Sequence, residues 1–358
     1  NKSGTLLWVM DKTQTSAGAR LMRNWINKPL QRIEEIKSRL NVVECLVNNP
    51  MLRVSLSKEL SKINDIERIV ARLAYGTISP KDFNSLAASI PPTLNIKQML
   101  EGSGCEELDF IKNSIKDMTS VYNAITSIIT AEPPALYKDG GYISKGYNDE
   151  LDRLRGMKED SQTYIKTYEM QERERTGIKG LKVGYNRVFG YYIEVSKQYS
   201  ESVPMEYVRK QTISNNERYI TEELKNYEND VLTSTERALK LEEELYDEFK
   251  GSMMAYCADL QQLANIISQI DCYYSLATIA VDNNYCKPKI VTTNQLVIKN
   301  GRHPVIELLQ KKHGFIENDT NLDSKDNRTM ILTGPNMAGK STYMRQVALI
   351  TLMAHIGS

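Results

Sequence analysis

Residues 334–341 read Gly-Pro-Asn-Met-Ala-Gly-Lys-Ser, which fits the pattern GxxxxGK[ST]. Glycines at these positions let backbone N–H groups close on phosphate oxygens, and a helix N-terminus behind them favours an anion. Lys340 has the reach for the β- and γ-phosphates of a nucleotide, and the Ser341 hydroxyl suits Mg²⁺. Gly334, Pro335, Asn336, Met337, Ala338, Gly339, Lys340, Ser341 and Thr342 are therefore candidate nucleotide-binding residues, with Ser341 the candidate metal contact. The flanks suit the motif. Thr329-Met-Ile-Leu-Thr333 has the chemistry of a short apolar strand, and an apolar helix is expected from Lys340 through Ile350. A Gly-rich turn that binds nothing is the plain alternative. The sequence runs only 17 residues past Ser341. That leaves no room for further parallel strands, a second carboxylate for Mg²⁺ or a group that positions water. Alone, the chain is expected to bind nucleotide weakly at best and not to turn over ATP.

A second patch of chemistry lies at residues 179–218, where seven Lys or Arg face four Glu. Asn186, Arg187, Arg209, Lys210, Asn215, Asn216 and Arg218 are candidate DNA-binding residues, suited to phosphates of a duplex with no reading of bases. A solvated charged surface is the competing account. Tyr185, Tyr191, Tyr192, Tyr199, Tyr207 and Tyr219 interleave with the cations; alternating tyrosines in strands pack a small core more often than they stack on bases. The formal net charge of the whole chain is +1, so any site for nucleic acid must be local.

Helices and strands must position both patches. Residues 1–131 read as short helices. Thr15-Ser16 caps one, another stops at Tyr75-Gly76, and Ser79-Pro80-Lys81-Asp82 opens a third with Pro at its first position. A further segment is expected from Leu108 to Ile129. Seven prolines between Pro29 and Pro134 punctuate these segments. Residues 147–176 form an unbroken polar stretch, about 45 Å long as a helix. A second long helix is expected from Thr221 to Val281, about 90 Å if straight, with Gly251 as the kink. Met253, Tyr256, Leu260, Leu263, Ile267, Ile270, Tyr274, Ala277 and Val281 make a coiled-coil-like seam on it, which calls for a partner helix. Between the two helices, Leu181–Tyr185 and Tyr191–Val195 read as a hairpin, and Tyr207–Ile213 and Arg218–Ile220 as further strands.

With 358 residues, 41% of them apolar and 25% charged, the chain is expected to be globular, with two or three domains and no membrane span. Its five cysteines show no CxxC spacing, which reads as reduced thiols rather than a disulfide framework or a zinc site. Asn1-Lys2-Ser3-Gly4 has neither an initiating Met nor a signal core, so an excised piece is expected.

Four stretches in one order resemble a known family. Thr333 to Gln346 looks like the ATPase motif of the MutS family of DNA mismatch-repair proteins, and Gly301-Arg-His-Pro-Val305 resembles the entry to that domain. Leu181–Val195 and Arg209–Ile220 are similar to its DNA clamp, and Thr5–Leu30 and Asp65–Ser79 to its lever core. The resemblance implies a mostly α multidomain fold: a helical lever core at 1–150, an ascending arm helix at 151–176 and an antiparallel β clamp at 177–220. A descending arm helix at 221–287 and the first part of an α/β, ABC-type P-loop ATPase domain at 288–358 complete it. It implies that the parent protein uses ATP and Mg²⁺ and encircles mismatched double-stranded DNA as a homodimer. It also implies partners such as MutL and a cytoplasmic, nucleoid-associated location of bacterial type. Phe315 would lie against adenine, or be an ordinary core aromatic; His303 is expected to hold its turn by hydrogen bonding. By the same likeness, the mismatch-reading domain would precede Asn1, and the second Mg²⁺ carboxylate and dimerisation helices would follow Ser358. The rival reading is a structural coiled-coil ATPase that bridges chromosomal DNA.

Overall fold

The computed structural model describes residues 3–134, 139–159, 161–186, 190–213, 215–310, 314–335 and 338–358. The chain divides into two compact units, Asn1–Thr126 with Met253–Ser358, and Ser127–Ser252. The first opens with α1 (Leu6–Met10), α2 (Ser16–Asn27), α3 (Ile33–Asn48), α4 (Pro50–Leu60), α5 (Ile66–Ala74), α6 (Pro80–Met99), α7 (Glu106–Ser114) and α8 (Thr119–Ile128). The expected caps are in place. The Thr15 hydroxyl accepts from Gly18 N–H at 2.9 Å, and Ser79 and Asp82 form a reciprocal capping box ahead of Pro80. Two expectations need correction. Pro91 and Pro92 do not punctuate anything; they sit inside α6, which continues through them with Ile90, Pro92 and Thr93 buried. The segment expected from Leu108 to Ile129 is two helices. Asp117 breaks it, because its carboxylate accepts from the N–H and hydroxyl of Thr119 and so replaces a helical turn.

The second unit contains α9 (Asp149–Glu159) and α10 (Ser161–Thr176), helical on either side of residue 160, which lies outside the described residues. A sheet follows: β1 (Lys182–Asn186), β2 (Gly190–Ser196), β3 (Val208–Thr212) and β4 (Asn216–Ile220), all antiparallel in the order β1-β2-β4-β3. The strands expected from the sequence match these within a few residues. Tyr168, Ile178, Leu181, Ile193, Val195, Tyr207, Tyr219 and Leu224 form one buried cluster, with Tyr191 and Tyr199 packed against it; Tyr185 is exposed and Tyr192 lies under Arg218 instead. Next comes α11 (Glu222–Met253), capped by the Thr221 hydroxyl. Its Glu242 carboxylate, 2% exposed, accepts from the N–H groups of Gly141, Tyr142 and Ile143 at 2.7–2.8 Å and pairs with Arg155 at 2.6 Å.

The first unit resumes with α12 (Cys257–Asp282), β5 (Gln295–Gly301), α13 (Pro304–Leu309), β6 (Asn318–Asp323) and α14 (Lys340–Ile356). The long helix is interrupted by a 3₁₀ turn at Met254–Tyr256, three residues beyond the expected kink; Gly251 stays helical. The seam is also corrected. Leu260, Leu263, Ile267, Ile270 and Ala277 are buried as expected, but so are Ile266, Tyr273, Leu276 and Ile279 on other faces. The helix is therefore the centre of the unit, packed by α2, α3, α4 and α5. It ends with Asn284 in the left-handed region (φ 52°), Tyr285 N–H returning to the Ala280 carbonyl at 2.8 Å. β5 and β6 pair antiparallel. Residues 329–333 are not a strand: they belong to neither sheet, and a strand exists only through ladder partners. α14 runs past the expected Ile350 to Ile356. No helix among the described residues is long and apolar enough to cross a membrane.

Candidate functional site

α14 begins at Lys340, and the residue before it, Gly339, takes a left-handed conformation (φ 89°) that a β-carbon would oppose. No side chain caps this helix, so its first N–H groups face the loop. The Lys340 ammonium turns back onto the carbonyls of Gly334 and Pro335, the latter at 3.0 Å. A cation at a helix N-terminus opposes the macrodipole, so the arrangement favours an anion that ammonium and N–H groups can share. Gly334, Pro335, Ala338, Gly339 and Ser341 are exposed and Thr342 is half-buried. Asn336 and Met337 lie outside the described residues. These features fit a phosphate. For Mg²⁺ the chain offers the Ser341 hydroxyl; among the described residues no cluster of three or more His, Cys, Asp or Glu could hold a metal.

Around this loop the neighbouring candidates take different parts. Phe315 is half-buried in the coil that leads into β6. His303 caps α13, its Nδ1 accepting from the N–H groups of Val305 and Ile306 at 3.3 Å, and burial lowers its pKa below the ordinary value. It holds a turn, as its place in the sequence suggested. Arg302 donates to the carbonyls of Asn283 and Asn284 at the end of α12 and pairs with Glu307. Tyr343 bonds the Thr320 hydroxyl at 2.7 Å and so ties α14 to β6.

On the four-stranded sheet the cations sort into two groups. Arg218 is 18% exposed, paired with Glu194 at 3.1 Å and lying over the Tyr192 ring at 4.1 Å. Asn216 donates to the same Glu194 at 2.8 Å. Both are engaged within the sheet. Arg209 is exposed, but Glu217 neutralises it at 2.7 Å. Lys210 is the extra residue of a bulge, because Arg209 faces Tyr219 while Gln211 faces Arg218. A bulge re-aims a side chain out of the ladder, and Lys210 is exposed there. Asn215 is exposed too, its carbonyl accepting from Lys197 N–H at 3.1 Å. Asn186 closes β1 opposite Gly190, and Arg187 lies outside the described residues.

Two buried carboxylates that the sequence did not single out organise the sheet. Glu172 accepts from the Tyr207 hydroxyl and pairs with Arg175; Glu217 accepts from the Tyr219 hydroxyl. Burial, then the neighbouring carboxylate, raises both phenols, Tyr219 up to about 12, so these hydroxyls stay protonated donors. No spacing in the sequence marks such pairs, since their partners are 35 and 2 residues away.

Comparison with known proteins places these features together. The pattern of MutS domain III matches residues 1–277 and that of MutS domain V residues 330–358. The chain is 46% identical over its whole length to the DNA mismatch repair protein MutS of Clostridium tetani, covering 41% of it. Identity is 44% to the protein of that name from Caldicellulosiruptor bescii, over all of this chain and 41% of the relative. For the Methanococcoides burtonii protein it is 43%, over 99% of this chain and 40% of the relative. The chain thus spans about two-fifths of the length of the relatives it matches.

Proposed function

The chain belongs to the MutS family, and from that premise we propose that it is the part of a mismatch-repair protein that grips duplex DNA and answers to nucleotide. In this reading residues 1–150 are a lever core, 151–176 and 221–287 its arms, 177–220 a DNA clamp and 288–358 the first portion of an ATPase domain. ATP with Mg²⁺ is the cofactor, held through Lys340 and Ser341; a homodimer encloses the DNA, and MutL is a downstream partner. The observation that carries the reading is the loop before α14: a left-handed Gly339, an uncapped helix start and Lys340 at its first position. The exposed, bulged Lys210 with Arg209 and Asn215 supports phosphate contact at the sheet. In this reading their contacts go to phosphates rather than bases, so the grip is non-specific. The coiled-coil alternative gains nothing from α12, which is packed by several helices rather than one partner.

Duplex affinity measured against salt tests the DNA half. Matched and mismatched duplexes should bind alike, with a shallow slope that reflects a few phosphates. Replacing Lys210 with Ala should lower that slope by about one, and replacing Arg209 as well, whose charge Glu217 already offsets, by less than a further one. An unchanged slope would remove both residues from the interface.

A further inference from the structure

The chain carries 20 tyrosines and five phenylalanines. Packing alone does not call for that choice, since a phenyl ring fills nearly the same space with no hydroxyl to satisfy. In the Ser127–Ser252 unit four of the tyrosine rings stand in a line. Tyr185 on β1 lies directly across from Tyr191 on β2, so both rings share one face of the sheet, with centroids 5.0 Å apart. Tyr191 is 6.1 Å from Tyr227 on α11, and Tyr227 stacks on Tyr164 of α10 at 3.7 Å, the planes 17° from parallel. One end of this line is open. Tyr185 is 55% exposed and comes one residue before Asn186, a candidate phosphate contact at the β1–β2 hairpin. The other end has a base: the Tyr164 hydroxyl donates to the Glu223 carboxylate at 3.4 Å, and Glu223 is exposed to water.

A phenol is among the few side chains that give up a single electron, and it does so readily only where its proton has an acceptor. Rings in near contact pass the vacancy along, each refilling the one before; a phenylalanine in the line would stop it. We propose that Tyr185, Tyr191, Tyr227 and Tyr164 form a relay that returns one electron to an oxidised guanine in a duplex lying on the sheet. The guanine radical cation takes an electron from Tyr185 and becomes guanine again. Tyr191, Tyr227 and Tyr164 refill the vacancy in turn. It comes to rest on the stacked pair, where the face of one ring stabilises positive charge on the other. The Tyr164 O–H bond then breaks and its proton forms an O–H bond on Glu223. A small thiol gives the neutral tyrosyl a hydrogen atom, the resulting thiyl radicals pair as a disulfide, and Glu223 releases its proton to water. Guanine gains one electron and the thiol supplies it. The proposal rests on the DNA-contact reading of the sheet and adds a reaction to it.

The test uses the full chain and a duplex that carries a run of guanines and a tethered anthraquinone photo-oxidant. Affinity is measured first, in the dark, by the fluorescence anisotropy of a labelled copy of the duplex. Light then oxidises the guanines, and strand cleavage at them is compared with and without protein. Aminotyrosine in place of Tyr164, more easily oxidised than tyrosine and distinct in its radical spectrum, marks arrival at the far end. Cleavage should fall several-fold on binding, and the aminotyrosyl radical should appear. Tyr191→Phe and Tyr227→Phe keep a ring in place, so duplex affinity should hold while the radical is lost and cleavage returns. Tyr192→Phe, on the other face of β2 beneath Arg218, should change neither. Far-UV circular dichroism checks folding; either relay variant suffices, and cleavage can be read on the chain without aminotyrosine. A duplex that binds with no radical and no protection, or with both undiminished in the Phe variants, overturns the relay and leaves the DNA reading standing. A duplex that does not bind overturns the DNA reading and the relay with it.

Discussion

Asp271 on α12 shows how burial and hydrogen bonding compete at one residue. Its carboxylate accepts from the N–H groups of Gln14 and Thr15 and from the Thr15 hydroxyl at 2.7–2.8 Å. Burial outweighs these bonds and pushes its pKa from 3.8 up to about 6. A folded-state value above the unfolded one means that its contribution to stability is complete below about pH 4. That contribution is lost as pH rises through about 6. The stability of the native chain relative to Asp271→Asn, which cannot titrate, should fall by about 3 kcal/mol between pH 4 and pH 7 in urea unfolding. A difference that is flat with pH would contradict this. Arg218 presents the opposite case, a cation whose type suggests DNA and whose surroundings answer otherwise. Arg218→Ala should cost about 1.5 kcal/mol of sheet stability, from the lost Glu194 pair and Tyr192 contact, and leave the salt slope of DNA binding unchanged. A reduced slope would return it to the interface.

Among the elements, those bounded by local chemistry were legible in the sequence. α2 and α6 start at Thr15 and Ser79, whose side chains accept from their own first turns, and α5 stops at Tyr75-Gly76. The β1-β2 hairpin follows from alternation around residues 186–190. Breaks set by packing were not legible. Gly251 remains helical while the ladder tightens at Met254–Tyr256, and Pro91-Pro92 is absorbed by α6. The Glu242 lock is of this second kind, since nothing in residues 139–143 announces an acceptor 100 positions away on α11. Glu242→Ala leaves three N–H groups without their acceptor and Arg155 without its ion-pair partner, and should destabilise the Ser127–Ser252 unit by about 3–5 kcal/mol. Denaturant unfolding measures it, and a loss under 1 kcal/mol would show that water replaces the carboxylate.

At the scale of the whole molecule, two compact units joined through continuous chain should unfold as two transitions in calorimetry. Glu242→Ala should lower one midpoint, and Asp271→Asn should displace only the other; a single cooperative transition shared by both variants would argue against independent units. The sequence by itself determined the family, the glycine–lysine loop ahead of α14 and the order of helices around a small β-insert. Each of these is written in neighbouring residues: glycines and a lysine at fixed spacing, caps, and runs of period 2 or 3.6. Tertiary structure decided the rest. It made α12 a central helix rather than one side of a seam, and left 329–333 outside both sheets. It sorted the sheet cations into Arg218, held by Glu194, and Lys210, lifted out by a bulge. It also tied α14 to Leu30 and Arg39, more than 300 positions earlier in the chain. The physical reason is common to all four. Burial, ladder pairing and ion pairing depend on which distant residues arrive beside a group, and local spacing carries no record of that.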